Sequence, residues 1–443
     1  MATPFLGLRG TGDWATNEAP QNWAQYIMHE YPNGSAPLYA MQSMVATESV
    51  DSTTFNWWTK TLPTRSGSVT NIYIDSGLST AYVYATHQST VGIAGGVVYA
   101  KMAEALVEEF VPGARVLLRD SDQLDVDIVG HVTRSVKNGA SSYIAVELDE
   151  ADDNHATPAS YNLSTVDYVI KLGTGYPEFS DAPRPMGYKP TQYNNYCGTF
   201  RNTFAISGSA QAEVLRTGNP YKEDKKDCME AHSMDLELEG WFGVKRSTTG
   251  ANGKPLYFTQ GLIPFLKENN PSAIQDFETS TDAEYSGKTW LQAGKTFLRN
   301  NIKEVFRYLN GGEAMVWCGD SALDGINELA ESYGQIQLKV AEKAYGLSVV
   351  EWHSPHGKLY FKTHPLFSRE TTNTNLMVIG LPKNARFCPK VGNGVNRSTK
   401  FQENMQIPGQ DGILDGYITE GGWKWYFPNQ WRVMRGVGKD NAN

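Results

Sequence analysis

Between residues 197 and 243 the hydrophobic pattern changes period. In CGTFRNTFAISG, Phe200, Phe204 and Ile206 share one parity while Arg201, Thr203 and Ala205 share the other. That alternation predicts a two-faced strand, broken at Ser207-Gly208-Ser209. In the following KEDKKDCMEAHSMDLELEGWFG, Cys228, Ala231, Met234, Leu238 and Trp241 recur at steps of three and four. One apolar stripe with Lys, Glu and Asp opposite predicts an amphipathic helix over 222–241, ending at Gly240 and Gly243.

Upstream, from about 66 to 175, the pattern is β-rich. SVTNIYI and TAYVYAT alternate, a Pro112-Gly113 turn leads into ARVLLRD, and VDIVGHVTRSV and SYIAVELDE follow. Short strands at this spacing predict a small barrel or sandwich. The acidic clusters Asp120, Asp122, Asp125, Asp127 and Glu147–Asp153 fall at the expected turns. DSDQLDVD lacks the central Gly and distal Glu of a calcium loop, so solvated turns are the better reading. Residues 1–65 are irregular, with helical period only near 21–30, and carry Trp14, Trp23, Trp57 and Trp58. A long arm rich in Trp is best understood lying against something else, such as a neighbouring subunit.

Downstream, TWLQAGKTFLRNNIKEVFRYLNGG (289–312) predicts a helix with Leu291, Leu298, Ile302, Val305 and Leu309 on one side. AMVWCG reads as a buried strand, and Ser321, with Asp324 three residues on, reads as the cap of the next helix. LSVVEWHSPHGKLYFKTH reads as strand, turn, strand, and NLMVIG and GGWKWYFPNQWRVM add strands. The whole is α+β, not a doubly wound nucleotide-binding fold.

Composition narrows the function. At 443 residues two or three domains are expected. A share of 40% hydrophobic and 20% charged residues describes a globular chain. The net charge of −9 argues against a protein that coats nucleic acid. Cys197, Cys228, Cys318 and Cys388 are widely spaced, without a C-x-x-C pair, and read as reduced buried residues. The N-terminus lacks a signal-peptide pattern, and no stretch reaches the ~18 apolar residues that span a bilayer. No membrane partner is expected, and the chain is expected to be made and first used in the cytosol.

No motif carries catalysis. SGKT (286–289) and AGKT (293–296) have Asp282 and Thr289 where a phosphate-binding loop needs glycine. His353 and His356 flank a turn and His364 lies on the return strand, but no fourth metal ligand is evident. His87, His131 and His232 have no local nucleophile or acid to pair with, FAISGSA is not a nucleophile elbow, and no dinucleotide fingerprint occurs. No catalytic residue, metal or cofactor is therefore expected.

The order of elements resembles the major capsid proteins of tailed bacteriophages, which share the Johnson fold. NNYCGTFRNTFAISGSAQAEV is similar to the segment before their long spine helix, and NGGEAMVWCGDSALDGINELA to their axial strand and helix. YGLSVVEWHSPHGKLYFKTHPLF (345–367) resembles a hairpin recurrent in one branch. These motifs cover roughly 190–370; the rest follows from order alone. The resemblance implies an N-terminal arm (1–65) and an extended E-loop region (66–215) holding an inserted β-rich domain at about 91–175. It further implies a peripheral domain (216–275 and 376–443) with the spine helix, and an axial domain (276–375).

The implied function is self-assembly into hexamers and pentamers of an icosahedral head around double-stranded DNA, in the host bacterial cytoplasm. Portal, scaffold and cement or decoration proteins are the candidate partners, with weak non-specific contact to DNA. Numbering from Met1 suggests that no N-terminal piece is removed. The expected assembly contacts are Trp14, Trp23, Trp57, Trp58, Phe200, Arg201 and Phe204. Truncation of 1–40 is expected to spoil particles without unfolding the body. The rivals are a tail or decoration protein and a carbohydrate-active hydrolase, suggested by abundant Trp, Tyr and free carboxylates.

Overall fold

The computed structural model describes residues 40–61, 65–152, 161–180, 185–213, 218–309, 312–333, 338–344 and 347–443. The chain forms two compact units. One is Lys60–Thr191; the other joins the N-terminal part to Thr59 with Gln192–Asn443.

The Lys60–Thr191 unit is a closed six-stranded barrel. Its strands run in the order Ser66–Tyr73, Val97–Met102, Tyr143–Leu148, Asp127–Val136, Ala114–Arg119 and Tyr168–Thr174. Closure leaves no open strand edge. Alternate residues point inward, so Val98, Ala100, Val116, Leu118, Ile128, Ile144, Val146 and Val169 form a separate core. Gly130 is required where a Cβ would come within 2.6 Å of Val146 Cγ1 and the Glu147 carbonyl. The barrel takes its first strand from Ser66–Tyr73, upstream of the expected start near 91.

TAYVYAT is not a strand. It makes one bridge, Tyr73 with Ala81, and then a helical turn at Tyr84–His87. Tyr82 is anchored instead through its hydroxyl, which donates to Asp152 at 2.7 Å. The acidic segment is a turn held by Asp120, whose Oδ1 accepts the N–H groups of Asp122 and Gln123.

Among the described residues the larger unit contains two large sheets, three two-stranded ones and two buried clusters. A seven-stranded mixed sheet has the order Ile274–Asp276, Arg432–Arg435, Met377–Gly380, Glu313–Cys318, Gly357–Thr363, Leu347–Ser354 and Leu338–Ala344. Helix Trp290–Tyr308 buries Phe297, Leu298, Ile302 and Val305, whereas Leu291 stays largely exposed, contrary to its predicted place. Its N-terminus is closed by Thr289, whose N–H donates to Gln292 Oε1 at 3.1 Å. The next helix begins at Asp320, so Ser321 lies inside it rather than capping it.

The second sheet has the order Ala46–Thr47, Ala385–Pro389, Ile413–Trp425 and Gly198–Ile206, with Lys400–Gln402 also paired to Ile413–Trp425. Trp423 and Trp425 lie on one face of the long strand and stack at 5.5 Å. Helix Pro220–Phe242 packs against them. Asn219 caps it by accepting the Tyr221 N–H at 3.0 Å, and Pro220 occupies the first position, where no N–H is needed. At 23 residues it is about 35 Å long. Gly240 permits the close approach: a Cβ there would stand 2.9 Å from the Trp423 ring.

Candidate assembly site

The strand Gly198–Ile206 pairs in antiparallel register with Ile413–Trp425, from Gly198 opposite Gly421 to Ile206 opposite Ile413. Thr199, Arg201, Thr203 and Ala205 are exposed; Phe200, Asn202 and Phe204 are half-buried. Phe200 packs on the aromatic core, and Phe204 lies 5.5 Å from the Tyr221 ring and 6.4 Å from Phe401. Arg201 is exposed and donates through Nη2 to Gln402 Oε1 at 3.3 Å, with Met405 Sδ at 3.7 Å. Of the arm tryptophans, Trp14 and Trp23 lie outside the described residues. Trp58 is 57% exposed. Trp57 is 4% exposed, and its indole N–H donates to the Trp425 carbonyl at 3.0 Å. Trp57 therefore belongs to the chain's own core and is removed from the expected contacts.

The buried face of the long helix is turned from the predicted stripe. Cys228, His232, Ser233, Leu236, Glu237, Gly240 and Trp241 are buried, whereas Ala231, Met234 and Leu238 are half-buried. A stripe drawn through apolar residues alone misses His232 and Glu237, because charged side chains are rarely buried unless partnered.

Both have partners. Asn202 Nδ2 donates to Asp235 at 2.7 Å, which turns its Oδ1 toward His232 to accept the Nδ1–H at 2.7 Å. His232 Nε2 is 2.7 Å from the Thr419 hydroxyl, which is 2.9 Å from that of Thr399. Burial holds the His232 pKa below its ordinary 6.5, opposed in part by the Asp235 carboxylate. The unfolded chain thus takes up a proton before the folded one does, so stability falls as the pH drops through 6.5 toward the folded value. We expect the melting temperature to decline more steeply between about pH 7 and pH 5 in the parent chain than in His232→Gln. Parallel curves from scanning calorimetry would refute this account.

Glu237 is fully buried and accepts four hydrogen bonds. Oε1 takes the Met41 N–H at 2.7 Å, His364 Nε2–H at 2.8 Å and Trp241 Nε1–H at 3.3 Å; Oε2 takes the Gln42 N–H at 2.9 Å. With its proton on Nε2, His364 leaves only a lone pair at Nδ1, which has no partner among the described residues. This carboxylate fastens the chain at residues 41–42 to the helix and to the end of the Gly357–Thr363 strand. Sequence spacing could not find it, since its partners lie 196 and 127 residues away.

A cleft of about 670 Å³ opens beside this assembly. It is walled by Gly198–Asn202, by the helix at Asp235, Leu238, Glu239 and Phe242, by Leu256–Phe258 of the Arg246–Phe258 hairpin and by Thr259 just after it. Glu239 is half-buried, and burial raises its pKa.

The remaining motifs are structural. Lys288 donates to the Glu284 carbonyl at 2.7 Å, and Lys295 lies within helix Trp290–Tyr308. His353 pairs with Glu351 at 2.9 Å while His364 meets Glu237, so the three histidines do not converge. Among the described residues no cluster of His, Cys, Asp and Glu could hold a metal. Burial pushes the thiols of Cys197, Cys318 and Cys388 up to about 12, which makes them inert packing residues.

The family model described as SU10 major capsid protein matches residues 9–437. The chain belongs to the SU10 major capsid protein family, a family of structural capsid proteins and not of enzymes. It is 23% identical over 353 residues to the major capsid protein of Pseudomonas phage PaMx41, spanning 79% of this chain and 73% of that protein. Among solved structures, that of Microbacterium phage Oxtober96 matches with a TM-score of 0.43 at 8% identity, covering 94% of this chain and 96% of that one. The capsid of Myoviridae phage XM1 matches at 0.35 and 14% identity, covering 59% and 82%. This α+β chain is thus a phage major capsid protein, a component of the virion that assembles into capsid oligomers. Neither the tail or decoration reading nor the hydrolase reading is favoured.

Proposed function

We propose that copies of this chain form hexamers and pentamers that close an icosahedral head around double-stranded DNA, assembled in the host bacterial cytoplasm. The supporting observation is a well-packed body that leaves large apolar side chains uncovered: Trp58 at 57%, Val244 at 66% and Ile407 at 73% exposure. Exposed apolar side chains of that size suit a subunit whose surface is covered by neighbours. Head-to-tail contacts, in which one patch meets a different patch, close such rings. Trp14, Trp23, Trp58, Phe200, Arg201 and Phe204 are the proposed contacts, with the N-terminal arm reaching a neighbouring subunit. At a net charge of −9 the subunit touches packaged DNA only weakly and without sequence preference. Portal, scaffold and cement or decoration proteins are the proposed further partners.

The test is negative-stain microscopy with size-exclusion chromatography on the expressed chain, alone and with neighbouring phage proteins. Closed shells, or rings of five and six, are expected; a monomer of about 49 kDa under every condition would refute the reading. A truncation should stop at residue 39, because Ala40 and Met41 are fully buried in the body. That deletion is expected to keep the parent melting temperature and circular dichroism while yielding no regular shells. Normal shells from it would remove the arm's role.

A further inference from the structure

We propose that in rings of this chain the acidic outer face of helix Asp320–Tyr333 of one copy docks on the basic outer face of helix Trp290–Tyr308 of the next, Asp324 and Glu328 meeting Arg299 and Lys303. The inference rests on the capsid reading above and adds to it a contact of stated sign.

The two helices lie on one face of the seven-stranded sheet. Ala314, Val316 and Cys318 of its central strand share a buried cluster with Phe297 and Ile302 of the first helix and with Ile326 and Leu329 of the second. Met315 and Trp317 of the same strand belong to the cluster on the other face. The Trp290 Nε1–H donates to the Gly325 carbonyl at 2.8 Å and ties the helices together. Both therefore spend their apolar sides inward, and what each leaves outward is nearly all of one sign.

On the first helix Lys295, Arg299, Lys303 and Arg307 follow one another at steps of four, and Glu304 is the one acid. Arg307 is held by Glu304 at 2.9 Å. Arg299 and Lys303 are exposed and have no ion-pair partner among the described residues. On the second helix Asp320, Asp324, Glu328 and Glu331 are all exposed, and its sequence holds no lysine or arginine. Asp324 and Glu328 likewise have no ion-pair partner among the described residues.

Such rows work against the helices that carry them, since like charges four residues apart weaken a helix. The helix dipole accounts for Asp320 in a first turn and Arg307 in a last turn. It does not account for Arg299, Lys303, Asp324 or Glu328, and it disfavours Glu331 in the last turn of its helix. A ring relieves both rows at once. Its heterologous contact sets one side of a subunit against the other side of the next, so two helices lying side by side bring the acidic row of one copy to the basic row of its neighbour. Opposite signs then fix the register, and like signs exclude the wrong approach. Double-stranded DNA matches the basic row alone and is repelled by the acidic helix beside it.

The test is a charge swap, read by sedimentation of particles and by counting rings in negative stain. Arg299→Glu with Lys303→Glu makes both faces acidic, and Asp324→Lys with Glu328→Lys makes both basic. Each pair is expected to lower particle yield roughly tenfold at low salt, while the unassembled chain melts with the parent. All four substitutions together restore opposite signs and are expected to bring the yield back to within about twofold of the parent. Mixing the two doubly substituted chains separates a contact between copies from one within a chain. An all-acidic and an all-basic copy can alternate around a ring of six, so rings of six are expected from the mixture although neither chain forms them alone. The neutral pair Asp324→Asn with Glu328→Gln, which introduces no reversed charge, is expected to lower the yield less and to flatten its dependence on salt. Parental yield from either reversed pair, no recovery in the fourfold variant, or no rings from the mixture would overturn the proposal. Parental shells that hold less DNA when the basic row is reversed would assign that row to the genome and overturn it too. Failure of the unsubstituted chain to form particles would overturn the capsid-shell reading together with this one; the other failures overturn this one alone.

Discussion

Glu237→Ala is expected to lower the unfolding free energy by about 3–5 kcal/mol, the scale on which removing one partner of a buried polar pair destabilises a protein. The carboxylate has no exposed surface, and it accepts from two backbone N–H groups, one imidazole and one indole. Its loss leaves the buried Met41 N–H without an acceptor, at about 1–3 kcal/mol for a stranded buried donor, and the half-buried Gln42 N–H without its partner. Glu237→Gln separates charge from shape. It keeps the volume and one acceptor oxygen, but its amide turns N–H groups toward at least one donor. We therefore expect an intermediate loss, about 1–3 kcal/mol. Denaturant titration of the three chains reads both values. Alanine and glutamine variants within about 1 kcal/mol of the parent would mean that the cluster does not hold residues 41–42 to the helix. The consequence for assembly is direct, because the fastening sits where the N-terminal segment joins the body.

The legible parts of this fold were those in which period and burial coincide. The alternation of Gly198–Ile206 was plain because one face rests on the body and the other is exposed. The hairpin Leu347–Ser354 and Gly357–Thr363 was likewise plain, since HSPHG can only turn between two strands. The barrel was legible as β structure, but the strands Val97–Met102 and Tyr168–Thr174 passed unnoticed. YVIKLGT carries Lys171 on its inward parity, where the pattern reads as broken, whereas VVYAKM alternates with Lys101 on the outer face. Lys171 is in fact buried along its stem, with Nζ donating to the Glu109 carbonyl at 2.8 Å. TAYVYAT failed in the opposite direction: its aromatic alternation reflects the anchoring of Tyr82, not a ladder.

The assembly site was half legible. Exposure of an aromatic side chain is set by tertiary packing, and no local pattern separates Trp57 from Trp58 except strand parity, which needs the partner strand to be known. Glu237 and His364 were invisible for a related reason. Their pairing joins segments that only the folded sheet brings together, and a Glu between Leu236 and Leu238 reads as the solvent side of a helix.

The neighbouring tryptophans give the sharpest separation of folding from assembly. Trp57→Ala is expected to cost about 3–5 kcal/mol, the range for truncating a buried Trp. The ring lies 6.0 Å from Phe55 and Tyr193 and 6.3 Å from Phe265, and its N–H holds the Trp425 carbonyl. Such a loss consumes much of a domain's usual margin of about 5–15 kcal/mol, so the variant should accumulate as insoluble or protease-sensitive chain. Trp57→Phe keeps most of the packing but drops the N–H donor and should fall between the two. Trp58→Ala removes a side chain that is 57% exposed and should leave the melting temperature within the scatter of surface substitutions. If Trp58 is covered by a neighbour in the shell, that variant folds normally yet gives fewer particles, or particles that come apart at lower denaturant. The paired measurement is thermal melting of the soluble chain alongside particle yield by sedimentation. A stable, particle-forming Trp57→Ala would refute its place in the core, and a Trp58→Ala with parental yield and particle stability would remove Trp58 from the contacts.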